Sequence, residues 1–160
     1  MSLLRRSRAR FGIFGTIVLG ALVLFVLAQA VPYGRSHANP KPTRSVRFSS
    51  AQAEKLFATA CGDCHSDTTR WPWYSNVAPM SWLVQNDVDG GRGRFNVSEW
   101  DRPQPDAGEI SEVISSGEMP PWQYTLIHGD AKLSSSEKRD LVAELGRIYQ
   151  QDPPGGGATR

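Results

Sequence analysis

Apolar residues are spread unevenly along the chain. From Phe11 to Ala28, the run FGIFGTIVLGALVLFVLA carries no charge, and as a helix rising ~1.5 Å per residue it reaches roughly 27 Å, close to the apolar thickness of a bilayer. Residues 11–30 are therefore expected to form one N-terminal transmembrane helix. Arg5, Arg6, Arg8 and Arg10 precede the run and only Arg35 follows it closely, so segment 1–10 is expected in the cytoplasm and the remainder outside. Ala28-Gln29-Ala30 also fits a small-x-small cleavage site. The run is longer than the ~7–15 apolar residues of a signal peptide, which favours a retained anchor. Either way residues 31–160 are placed outside the cytoplasm, in the periplasm if the membrane is a bacterial inner one.

Beyond this run the apolar positions become periodic in short pieces. Segment 31–48 holds Pro32, Pro40 and Pro42 without a hydrophobic period and reads as an extended tether. Ser49 or Ser50 then offers an N-cap to a helix whose face is Ala53, Leu56, Phe57 and Ala60, ending at Cys61. Residues 66–79 read as aromatic loop, Met80 to Val88 as a helix closed by Gly90 and Gly91, and 92–105 as loop again. Asp106 and Glu109 resemble a capping box before Ile110, Val113 and Ile114, with Gly117 as the stop. Ser134 and Glu137 form a second box before a final helix with Leu141, Val142, Leu145, Ile148 and Tyr149 on one face. Residues 151–160 read as a disordered tail. No repeat and no strand series is visible, so the expected class is all-α: one domain over 49–150 with long loops that need something to pack on.

Composition sharpens this picture. Five tryptophans, at 71, 73, 82, 100 and 122, supply large apolar areas to a small domain, and a large cofactor would supply more. The formal charge is +2 from 18 basic and 16 acidic residues. Removing the four arginines at 5, 6, 8 and 10 leaves 14 against 16, or −2. A chain with this balance has no basic stripe for nucleic acid, and that partner is excluded.

The candidate chemistry lies at Cys61-Gly62-Asp63-Cys64-His65. Cys-x-x-Cys-His is the pattern of covalent haem attachment, in which two thiols add to the haem vinyl groups and the following imidazole ligates iron. These are the only two cysteines in the chain, and the apolar run directs them to the side where such haems are attached. A disulfide between them would close a very short loop with small entropic gain. A thioredoxin-type dithiol needs a βαβ context, and zinc needs four ligands where only His37, His65 and His128 join the thiols. One covalent haem c on Cys61 and Cys64, with His65 on the iron, is the expectation.

The stretch CGDCHSDTTRWPWYSNVAPMSWLVQNDVDGGRGRFNVSEW resembles the bacterial haem-binding domain family, with CHS, WPWY, SW, GR and N-x-SEW in order. Tyr33-Gly34-Arg35 and His37-x-Asn39-Pro40 resemble the tether of that family, so the likeness runs from about 31 to 149. It implies a small, cytochrome c-like monohaem domain. It also implies a haem attachment machinery and an unidentified redox protein as partners, beside the cytoplasmic membrane.

For the second axial position the candidates are Met119, His128, Met80 and His37. Met119 stands between the stop at Gly117 and Pro120-Pro121, which favour an extended strap, and G-x-M-P ahead of a final helix resembles the distal loop of class I cytochromes c. His128 is the alternative. Met80 begins a helix soon after His65 and reads as packing, while His37 lies in the tether. Trp71, Trp73, Tyr74, Trp82, Trp100 and Trp122 are candidates for the haem pocket, and Arg92 or Arg94 for its propionates. The leading expectation is single-electron transfer without substrate chemistry. The alternative is a peroxidase-like haem enzyme, or a gas or redox sensor, with an open distal site.

Overall fold

In the computed structural model, residues 2–155 are described, with side chains from residue 12 onward. The described residues are all-helical: α1 (Ser2–Ala28), α2 (Ala51–Ala60), α3 (Gly62–His65), α4 (Met80–Arg94), α5 (Ile110–Ser116), α6 (Trp122–Ile127) and α7 (Ser135–Gln151), with short 3₁₀ turns at Trp73–Asn76 and Gly129–Ala131. They divide into two compact units, residues 2–36 with 72–85, and residues 37–71 with 86–155.

In the first unit, α1 is followed by a turn whose Gln29 side chain closes onto a distant segment. Its Nε2 donates to the carbonyls of Phe25 and Ala78, both at 3.0 Å, and its Oε1 accepts from the Ala78 N–H and from Arg35 Nη2, each at 3.0 Å. Gly34, at φ +82°, lies so close that a Cβ there would stand 2.1 Å from the Ser81 carbonyl oxygen. The left-handed backbone and the contact both require glycine at this point. Among the described residues no helix is long and apolar enough to cross a membrane. The anchor expected over 11–30 is corrected to that extent: the apolar side chains that are described run from 12 to 28, about 26 Å of helix against a core of about 30 Å. The side chains of 1–11 lie outside the described residues.

The second unit is built around α2 and α7, which pack on each other. Ser50 caps α2 by accepting from the Ala53 N–H at 3.1 Å, while Ser134 and Glu137 form the expected capping box of α7. The periodic faces meet in a core of Phe57, Phe95, Trp100, Ile114, Leu141, Leu145 and Ile148, with Leu56 and Val142 at its edge. Tyr149, expected on the same face, is instead exposed. The end of the tether is not free-running: Val46 N–H donates to Val97 O at 2.9 Å and Trp100 N–H to Arg44 O at 2.8 Å, a short parallel pairing. Nor does the tail begin at 151. Asp152 O accepts from Trp100 Nε1 at 2.5 Å and Gly155 N–H donates to Trp100 O at 3.0 Å, while residues 156–160 lie outside the described residues.

Three boundaries differ from the sequence expectation. The helix from Met80 does not close at Gly90-Gly91 but runs to Arg94. Asp106 and Glu109 make no capping box, since α5 starts at Ile110 after Glu109 in helical geometry without a side-chain cap. α6 occupies a segment to which the sequence reading assigns no element, and it starts after the extended backbone of Pro121.

Glu144, on the buried side of α7, joins two elements. Its carboxylate accepts from Arg147 at 2.7 and 3.1 Å, from the Ser49 hydroxyl at 2.7 Å, and from the Ser49 N–H. The Arg147 guanidinium holds the carboxyl down at about 2, against burial that pushes it up. An unfolded glutamate titrates near ~4.3. Because the folded value is the lower one, this stabilisation is complete above about pH 4.3 and is lost as pH falls toward about 2. Glu144→Gln is expected to cost about 2 kcal/mol at neutral pH and to flatten the fall in urea stability over that acid window. An unchanged slope would contradict this role.

Candidate functional site

α2 stops at Cys61, whose φ of −128° leaves the helical region, and the chain re-enters a single turn at α3. Cys61 N–H donates to Phe57 O at 2.8 Å, and Cys61 O accepts from the Cys64 and His65 N–H groups at 3.2 and 2.9 Å. Spacings of three and four residues around one turn place Cys61, Cys64 and His65 on a common face. Both thiols are free and half-buried. Burial pushes each up to about 12, helped by the Asp87 and Asp63 carboxylates at Cys64, so both are neutral S–H groups rather than thiolates.

The His65 ring is held in one tautomer. Its Nδ1–H donates to Phe95 O at 2.9 Å, so the lone pair is left on Nε2 for a metal. Burial also lowers its pKa, which keeps the imidazole neutral. The backbone is fixed as well, with Val97 N–H donating to His65 O at 3.0 Å, and the ring lies 5.7 Å from that of Phe95. Phe95 in turn meets Trp100 edge-on at 5.7 Å. This donor set fits haem c: an oriented neutral imidazole beside two neutral thiols. Among the described residues no group of three or more His, Cys, Asp or Glu is placed to hold a bare metal ion.

Two further features secure the turn. At Gly91 a Cβ would stand 2.4 Å from the Cys64 carbonyl oxygen and 3.0 Å from its Cβ, so α4 passes the motif in backbone contact. Arg92, one residue on, donates to Ser66 O, Ala38 O, Asn39 Oδ1 and Thr69 Oγ1 at 2.9 to 3.0 Å, and lies 3.7 Å from Asp67. Four of its five N–H groups thus go to the protein. Arg94 is exposed and lies 3.5 Å from Asp106.

The aromatic candidates separate. Trp100 is 2% exposed and belongs to the core beneath Phe95. Trp71 stacks on His37 at 4.8 Å and donates to Asn39 Oδ1 at 3.2 Å, bracing the tether. Trp122 opens α6 and is exposed. Trp73, Tyr74 and Trp82 belong to the first unit, where Trp73 is exposed and meets Tyr74 edge-on. The buried Nε1–H of Trp82 has no acceptor among the described residues. Met80 opens α4 in that same unit.

On the strap, Gly117 adopts φ +89°, the left-handed stop expected of it. Met119 N–H donates to Val113 O at 3.0 Å, the residue is 36% exposed, and the Met119–Pro120 peptide is cis. His128 caps α6 and stacks on Tyr124 at 4.4 Å. Residues with no site role in the sequence reading complete the site. Phe95 orients His65, Gly91 admits the turn, and Asp63 accepts from Arg70 and Tyr124. Of these, Asp63 stands inside the attachment motif, while Gly91 reads in the sequence only as a helix stop.

Among characterised proteins, cytochrome c peroxidase Ccp of Escherichia coli is 27% identical over 95 residues, covering 54% of this chain and 20% of that protein. The chain thus spans about a fifth of the length of the relative it matches. No solved structure matches. The haem-binding domain family matches over residues 23–145, a range that takes in Cys61, Cys64, His65 and Met119, and the chain belongs to that family.

Proposed function

We propose that this chain is a single-haem c-type cytochrome domain, held at the outer face of the bacterial inner membrane and passing single electrons. The observation that carries it is the His65 Nδ1–H bond to Phe95 O at 2.9 Å, on the same turn as two free thiols. Haem, when bound, supplies an iron that takes up and releases one electron. The residues do the rest. Cys61 and Cys64 supply the thioether sulfurs, His65 the oriented proximal nitrogen, and Phe95 the carbonyl that keeps that nitrogen aimed.

Met119 is the distal ligand in this reading, with His128 as the alternative. What supports Met119 is its place on a short strap whose N–H is fixed at Val113 and whose thioether is not enclosed by the core. The ring of His128 is engaged with Tyr124. Met119→Ala is expected to turn a low-spin haem into one that binds carbon monoxide readily when ferrous. Retention of the low-spin spectrum in this variant, with its loss in His128→Ala, would move the assignment to His128.

The relative named as a peroxidase favours a second reading, a haem enzyme with an open distal site. A low-spin ferric spectrum with a near-infrared sulfur band separates the carrier from it. Export and anchoring rest on the apolar helix. Ile13, Phe14, Ile17, Leu19, Leu24, Val26 and Leu27 are each more than 60% exposed, and a helix apolar all round suits lipid rather than water. Gln29, next to the candidate cleavage site, is hydrogen-bonded within the folded first unit, which favours retention. The mature chain is expected to keep residues 11–30, and a mature N-terminus at Val31 would contradict this.

A further inference from the structure

We propose that Asp63, between the two cysteines, is a positioning residue that pins α6 to the haem-attachment turn through Tyr124, and so sets the place of the Met119 strap. Its importance rests on the haem reading above, whereas the pin itself is a property of the chain. Asp63 is buried. Its Oδ1 accepts from Arg70 N at 3.0 Å and Nε at 3.2 Å, and its Oδ2 from Arg70 Nη2 at 3.2 Å and Tyr124 Oη at 2.8 Å. Its carbonyl accepts from Thr69 Oγ1 at 2.7 Å. A carboxylate so filled holds each donor in one place.

α6 has little else to hold it. None of its six residues is buried, and Trp122, Leu126 and Ile127 are 75%, 75% and 55% exposed. Apolar burial therefore contributes little, and a hydrogen bond to an ionised acceptor is among the stronger single contacts available. Tyr124 sits in the middle of α6, with the His128 ring stacked on it at 4.4 Å and 23°. The strap from Gly117 to Pro121 leads directly into α6, so Met119 is fixed on one side by Val113 O and on the other by this pin.

Tyr124→Phe removes the hydroxyl and leaves the ring, which makes it the cleanest probe in the full haem-loaded chain. Amide hydrogen exchange at Thr125 and His128, which bond Pro121 O and Tyr124 O, is expected to quicken about tenfold or more. The Leu141 and Leu145 amides of α7 should hold their rates, and ferrous haem should bind carbon monoxide more readily. Arg70→Gln should change neither readout much, because that side chain is 63% exposed and the Tyr124 bond remains. Unchanged exchange in α6, or equal quickening in α7, would overturn the pin. Quicker exchange with carbon monoxide binding unmoved would overturn its reach to Met119. A full chain that takes up no haem would fail the functional reading, while the exchange measurement would still decide the pin.

Discussion

The Cys61→Ala, Cys64→Ala double variant is expected to carry no covalently bound haem at all. No other thiol exists in the chain, and both present ones are unpaired, neutral and on the face of one turn with His65. Neutral S–H groups are what addition to a vinyl carbon consumes, one hydrogen and one sulfur per bond. Each single variant should retain one thioether and bind haem in reduced yield. The check is haem staining after denaturing electrophoresis, where a band persisting in the double variant would show that the attachment lies elsewhere. His65 should then matter for the spectrum and not for the covalent band.

Gly91→Ala is expected to destabilise the chain and lower haem incorporation, although alanine favours a helix over glycine by about 1 kcal/mol. The added Cβ would meet the Cys64 carbonyl oxygen at 2.4 Å and its carbon at 2.9 Å. These are backbone atoms of the attachment turn and cannot swing aside as a side chain would. Overpacking of this kind costs about 1–3 kcal/mol, enough to outweigh the helix gain. Gly90, one residue earlier in α4, is open: a Cβ there would meet nothing within 4 Å, so Gly90→Ala should be neutral or stabilising by up to about 1 kcal/mol. Urea unfolding of the two variants should give opposite signs, and equal behaviour would contradict the close approach of α4 to the turn.

What was legible beforehand follows from how local the cause is. α2 and α7 were readable because an N-cap, a face repeating at three and four residues and a stop all lie within one segment, as at Ser134, Glu137 and Leu141 to Ile148. The motif at 61–65 was readable for the same reason. Gly90-Gly91 misled because a glycine that ends a helix and one that admits a neighbouring backbone look alike until the neighbour, Cys64, is known. α6 carries no buried face, so it left no period to find. Arg92 announced a charge but not its acceptors, which lie at 38, 39, 66 and 69. Asp63 and Tyr124 stand 61 residues apart, and nothing in either neighbourhood points to the other.

Covalent attachment of one haem is decided by the mass of the full chain, measured after denaturation and without reduction. The expected mass is that of the polypeptide plus one haem, with both thiols consumed. A bare chain, or one lighter by two hydrogens from a Cys61–Cys64 disulfide, would contradict it.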